Sequence, residues 1–132
     1  EEKLIPQTVK AIVSNRRPRV YGNGQNIRDW IHVDDHIDGI WAIIERAEIG
    51  STYLLGADNQ RSNLNVVQSI LRILGKDEDF YELVEDRPGH DRRYAIDYSR
   101  ASAELSWKPY YTDFEKALEP VVKHFERVFT GL

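Results

Sequence analysis

The chain has 132 residues, of which 41% are hydrophobic and 30% charged, and a formal net charge of −4. That hydrophobic share excludes intrinsic disorder, and the length suits one domain with a moderate core. With 18 Lys+Arg against 22 Asp+Glu, no nucleic acid partner is expected, and zero cysteines exclude disulfides, thiolate metal sites and cysteine nucleophiles. No apolar run approaches a membrane span and no signal-peptide pattern opens the chain, so no membrane partner is expected and a cytoplasmic setting fits. The chain enters a helical pattern at once after Glu1-Glu2-Lys3, as expected of a piece of something longer.

Leu4, Ile5, Val9, Ile12 and Val13 recur at helical spacing, predicting a helix over about 2–15 with Pro6 tolerated in its first turn. Arg19-Val20-Tyr21 reads as a short strand, Gly22-Asn23-Gly24 as a turn, and Asn26 to Val33 as a second strand. Asp34 and Asp35 are expected to start a helix to about Arg46, with Ile37, Ile40, Trp41 and Ile44 as its buried stripe. Ser51 to Leu55 reads as a third strand and Gly56 to Asn63 as a polar loop. Val67, Ile70, Leu71 and Leu74 mark a helix ended by Gly75. Phe80 to Val84 and Tyr94 to Ile96 read as strands, and Asp97 as the cap of a short helix to about Leu105. Thr112 and Glu115 suggest a capping box for a last helix carrying Phe114, Leu118, Val121, Val122, Phe125 and Phe129, with Pro120 expected to kink it. The pattern is α+β, with about four main helices and several short strands, and its βα units alternate too irregularly for a doubly wound sheet. Gly22-Asn23-Gly24 is not a dinucleotide fingerprint, because a strand rather than a helix follows it.

The densest chemistry lies in Asp86-Arg87-Pro88-Gly89-His90-Asp91-Arg92-Arg93-Tyr94, where a Pro-Gly turn throws charged side chains to one side. An arginine fork suits two phosphate or carboxylate oxygens at once, so the loop is a candidate anion site. A salt-bridged surface loop, with Asp86 and Asp91 neutralising the arginines, explains the same residues. Arg28 and Asn63 project from other strands or loops. Arg28 could equally pair with Asp29 or Asp35, and Asn63 could be a helix cap. His32-Val33-Asp34-Asp35-His36 holds metal-type side chains, but it crosses from strand into helix and its acids are better explained as caps, so no metal site is expected. No nucleophile or carboxylate pair is placed for catalysis, and no catalytic residue is assigned.

Taken in order, Glu2-Lys3-Leu4-Ile5-Pro6, Val20-Tyr21-Gly22-Asn23-Gly24, Ile27-Arg28-Asp29-Trp30-Ile31-His32-Val33-Asp34-Asp35-His36, the Asp86 to Ile96 loop and Trp107-Lys108-Pro109 resemble the C-terminal, substrate-binding part of the dTDP-glucose 4,6-dehydratase family. These are extended short-chain dehydrogenase/reductases. The resemblance covers essentially the whole chain, and its Arg-Pro-Gly-His-Asp loop is the most specific motif. It implies that Lys3, Leu4, Ile5 and Pro6, with Val20 and Tyr21, line a nucleotide pocket. It implies further that Arg28, Asn63, Arg87, Pro88, Gly89 and His90 hold a dTDP-sugar and its diphosphate. The family's nucleotide-binding domain, which carries NAD and the catalytic groups, has no counterpart in these motifs, so this chain alone is expected to be inactive and to bind no NAD. The parent is expected to dimerise through that other domain, and the isolated chain to self-associate. A fragment of a GDP-mannose dehydratase or nucleotide-sugar epimerase, and a stand-alone anion-binding module, are the rival readings.

Overall fold

The computed structural model describes residues 3–132, so the contributions expected of Glu2 lie outside the described residues. Helix α1 (Leu4–Val13) turns its Val9 and Ile12 inward, as its periodicity predicts. They meet Val66, Val67, Ile70 and Leu71 of α3 (Asn63–Ile73) and Phe114, Leu118 and Val122 of α5 (Phe114–Thr130). Each such side chain, fully buried, contributes roughly 1.5–3 kcal/mol, so this three-helix cluster is the main stabilising element. Gly75, at φ +68, ends the α3 segment as expected, its N–H donating to the Arg72 carbonyl. Helix α5 runs on through Pro120.

Two small sheets lie against this body. Strand β1 (Arg19–Tyr21) pairs in parallel with β4 (Glu82–Val84), Val20 opposite Leu83. Strand β2 (Ile27–Asp29) pairs antiparallel with β3 (Gln60–Ser62), Arg28 opposite Arg61. Strand β2 is thus shorter than the expected 26–33, and β3 occupies part of the segment read as a loop. Ser51 to Leu55 belongs to no strand, because no neighbouring strand among the described residues takes its backbone groups. Past the charged loop, only a single bridge joins Arg93 to Ile27, where a strand was expected over Tyr94 to Ile96.

Helix α2 (Val33–Arg46) reverses its expected orientation. Ile37, Ile40, Trp41 and Ile44 are exposed at 55%, 41%, 59% and 66%, while Asp35, Gly39 and Ala42 are buried. The reason is close approach. A Cβ on Gly39 would sit 2.7 Å from Leu55 and 3.1 Å from Trp107, so only a small-residue face fits against that side. There Ala42 joins Ala101 and Leu105 of α4 (Ser99–Leu105) and Trp107 in a second, smaller cluster. Buried Asp35 accepts the Tyr110 and Tyr111 backbone N–H groups at 2.8 and 2.9 Å.

Two caps also differ from expectation. The α2 N-terminus is capped by His32, whose Nδ1 accepts the Asp34 N–H at 3.2 Å. Asp113 caps α5 by accepting the Lys116 N–H at 3.2 Å, and Glu115 turns away to Ser69 and Arg72 rather than back toward Thr112. Asp97 does accept the Ser99 N–H, at 2.8 Å, just ahead of α4.

Candidate functional site

The turn after β1 builds one wall of a cleft. Gly24, at φ +72, lies so close to α3 that a Cβ would stand 2.8 Å from Leu64 and 2.7 Å from Val20. A side chain there would push β1 away from the α3 N-terminus, and with it Tyr21 away from Asn63. Ser62 caps α3 by accepting the Asn65 N–H, and the Asn63 backbone N–H donates to Asn26. The Asn63 side-chain amide is therefore not spent on capping.

The second wall is the charged loop. Arg87-Pro88-Gly89-His90 forms a tight turn in which the His90 N–H donates to the Arg87 carbonyl at 3.3 Å, with Gly89 at φ +70. Proline second and glycine with positive φ third is the arrangement of a type II turn. Pro88 and Gly89 thus shape the loop and do not line the cleft.

Between these walls lies an open cleft of about 1100 Å³ lined by Lys3, Leu4, Tyr21, Arg28, Asn63, Arg87 and His90, among others. Three of the residues expected at the nucleotide lie elsewhere. Val20 is 1% exposed and belongs to the main core. Ile5 lines a separate apolar cavity of about 250 Å³ beside Trp30, His32 and Phe114. Pro6, in the first turn of α1, faces neither cavity.

The acids of the charged loop are engaged by His90 and Tyr94 rather than by the arginines expected in the salt-bridged reading. Asp86 accepts the Arg87 backbone N–H at 2.9 Å and meets His90 Nδ1 at 2.7 Å. The His90 hydrogen bond, helped by that backbone donor, holds the Asp86 carboxyl below the usual range. Asp91 takes the Tyr94 hydroxyl, which raises the tyrosine's pKa. Among the described residues, neither acid ion-pairs with an arginine side chain. Arg28 fares likewise: Asp29 is occupied by the Ala57 and Asn59 N–H groups at 3.1 and 2.8 Å, and Asp35 by Tyr110 and Tyr111. The Arg28 guanidinium is instead held by two carbonyls, Ile27 at 2.7 Å and Asp91 at 3.0 Å, and lies 4.3 Å over the Tyr94 ring. Carbonyls and a ring face orient a cation without cancelling its charge.

The sequence reading missed several wall residues. Lys10, Arg16, Arg17 and Arg19 extend the basic lining, Arg19 pairing with Glu82 at 3.1 Å and Arg17 lying over Phe80. The run Arg16-Arg17-Pro18-Arg19 at the α1–β1 junction is the sequence signal that could have found three of them. Trp30 also lines the cleft, with an indole N–H that is buried and has no partner among the described residues.

Among the described residues, no group of three or more His, Cys, Asp or Glu side chains converges as a metal site. The glycine turn after β1 is not the phosphate turn of a dinucleotide fingerprint. The parallel strand β1 leads through its glycine turn into β2 rather than into a helix, so no helix N-terminus is aimed at a phosphate there. No described helix is long and apolar enough to cross a membrane.

The family model for GDP-mannose 4,6 dehydratase matches residues 1–120. The chain belongs to that family. It is 49% identical over 121 residues to a dTDP-glucose 4,6-dehydratase of Mycolicibacterium smegmatis, covering 92% of this chain and 37% of the relative. The fold agrees at TM-score 0.89 and 40% identity with the Bacillus anthracis dTDP-glucose 4,6-dehydratase solved in complex with NAD, over 96% of this chain and 40% of that one. The Streptomyces venezuelae dTDP-glucose 4,6-dehydratase, also solved with NAD, gives TM-score 0.91 at 33% identity, over 98% and 40%. The chain therefore spans about two fifths of the length of these relatives.

Proposed function

We propose that residues 1–132 form a single nucleotide-sugar binding unit of a longer, NAD-dependent dTDP-glucose 4,6-dehydratase, a lyase of nucleotide-sugar metabolism acting in the cytoplasm. The observation that carries this is the shared cleft of Arg28 and Arg87, two arginines whose side chains ion-pair with no carboxylate among the described residues. A diphosphate carries complementary charge in a size the cleft accepts, and each arginine offers it a two-point contact. Tyr21 and Leu4 provide the apolar side that a flat base needs, and Asn63 an amide for its polar edge or the sugar.

In the dehydratase reaction, C4 of the sugar is oxidised, water leaves across C5 and C6, and C6 is reduced. The chemistry for hydride transfer belongs to NAD in the rest of the parent. This chain's share is to bind and orient the nucleotide so that the hexose projects out of the cleft. The rest of the parent also supplies an occupant for the exposed α2 stripe of Ile37, Ile40, Trp41 and Ile44. Apolar surface of that extent calls for a covering partner, and the relatives carry more than half their length outside the matched region. Dimerisation of the parent would use that further length.

Calorimetric titration with dTDP, GDP and inorganic pyrophosphate tests the reading, beside an assay for the 4-keto sugar with added NAD. The chain should bind dTDP weakly and saturably, prefer it to GDP and pyrophosphate, and turn nothing over. Preference for GDP would favour the GDP-mannose enzyme, and equal, salt-sensitive binding of all three a general anion module. Turnover would show that catalytic groups lie within this chain.

A further inference from the structure

His90 is a titratable cleft residue whose surroundings leave its ring little freedom. Its side chain is 5% exposed, its Nδ1 lies 2.7 Å from Asp86 Oδ1, and its edge meets Tyr21 at 6.3 Å between centroids and 87° between planes. Asp86 is itself fixed. The same Oδ1 accepts the Arg87 N–H, and the carboxyl occupies the space that a Cβ on Gly22 would claim, 3.0 Å from Oδ2 and 3.2 Å from Cγ. Gly22 is at φ +58 and donates its N–H to Val84, tying the loop to the end of the β1–β4 pair.

We propose that Asp86 is a positioning residue that fixes His90 as the Nδ1–H tautomer, so that Nε2 meets the ligand as a hydrogen-bond acceptor. An ionised carboxylate can only accept, so the proton between the two groups sits on Nδ1 in neutral imidazole, and the other nitrogen is left with a lone pair. A diphosphate at neutral pH has no proton to offer that lone pair; a hydroxyl of the nucleoside or sugar does. This rests on the nucleotide reading of the cleft and divides its labour. Arg28 and Arg87 take the diphosphate, and His90 selects for a hydroxyl-bearing ligand over a bare anion. The expectation that His90 helps to hold the dTDP-sugar and its diphosphate is thereby narrowed to a hydroxyl contact.

The test has a spectroscopic arm and a binding arm, both on the full chain at pH 8, where free imidazole is neutral. Ring-¹⁵N spectra, with the His90 signals assigned by loss in His90→Gln, should show the Nδ1–H tautomer in the wild type. Asp86→Asn keeps an Oδ1 able to accept both N–H groups and should preserve it, whereas Asp86→Ala should release the ring toward Nε2–H. An Nε2–H ring in the wild type, or an unchanged tautomer in Asp86→Ala, overturns the proposal. In the binding arm, His90→Ala should weaken dTDP by about fivefold, the loss of one hydrogen bond, and leave pyrophosphate within about twofold. An equal loss for both ligands would make His90 a phosphate contact and overturn the proposal. Absence of dTDP binding by the wild type would instead defeat the nucleotide reading, while the spectra still decide the role of Asp86.

Discussion

Arg87 and Arg72 are both half-exposed or exposed arginines on the same small molecule, and they are used in opposite ways. Arg72, in the last turn of α3, pairs with Glu78 at 2.7 Å and with Glu115, which also accepts the Ser69 hydroxyl at 3.0 Å. Glu78 and then Glu115 raise its pKa, and the Ser69 hydrogen bond followed by Arg72 lowers that of Glu115. Arg87 has acids on both sides in sequence, yet Asp86 is engaged by His90 and Asp91 by Tyr94, and its guanidinium pairs with no carboxylate among the described residues. One arginine clasps α3 to α5. The other lines the cleft with its charge left without such a partner. Local composition does not separate the two; what separates them is where the neighbouring acids are spent.

The sharpest way to break that contrast is to remove Arg87. Arg87→Ala should cost dTDP binding about 1.5–3 kcal/mol, towards the low end because water reaches the cleft, and should leave thermal stability unchanged. Arg87→Lys keeps the charge but loses the planar fork, so calorimetry should find it weaker than wild type and tighter than alanine. Wild-type affinity in Arg87→Lys would show that charge alone suffices. The converse variant, Arg72→Ala, should cost about 0–1 kcal/mol of stability, because the ion pairs are about half-exposed, with dTDP affinity unaltered. A thermal melt beside the same titration checks both.

Acid supplies a smaller effect of known sign. The Glu115 carboxyl is depressed in the folded chain, so its contribution is complete above the unfolded carboxyl value of about 4.3 and is lost as pH falls through the lower folded value. Stability measured by denaturant from pH 7 to 3 should fall at the acid end, and Glu115→Gln should flatten part of that fall. An unchanged slope in Glu115→Gln would remove the α3–α5 clasp from the account.

The sequence disclosed the helices that carry the main core and hid how α2 is seated. The α1, α3 and α5 periodicities were legible because each has one apolar face and a partner to bury it. On α2 the same pattern was visible, but the buried side is chosen by Gly39 and Ala42, whose small size lets Leu55 and Trp107 approach. Periodicity scores large apolar residues and passes over glycine. The stripe left outside should make the isolated chain associate with rising concentration, and light scattering should show this suppressed in Trp41→Glu. A single monomeric mass over a wide concentration range would count against it. At the site, Arg28, Asn63, Arg87 and His90 were legible from motif and loop position. The burial of Val20 and the tie between Gly22 and Asp86 were not, because both depend on contacts between segments distant in the chain.

Arg28 and Arg87, and not the carboxylate-paired Arg72 and Arg100, should meet the nucleotide. Arginine ¹⁵Nε spectra of the full chain recorded while dTDP is added address this directly. The Arg28 and Arg87 signals should move together and saturate at one ligand per chain, while those of Arg72 and of Arg100, which is bound to Glu104 at 2.6 Å, stay in place. Movement of Arg72 or Arg100 to the same extent, or a still Arg28 and Arg87 at saturating dTDP, would contradict it.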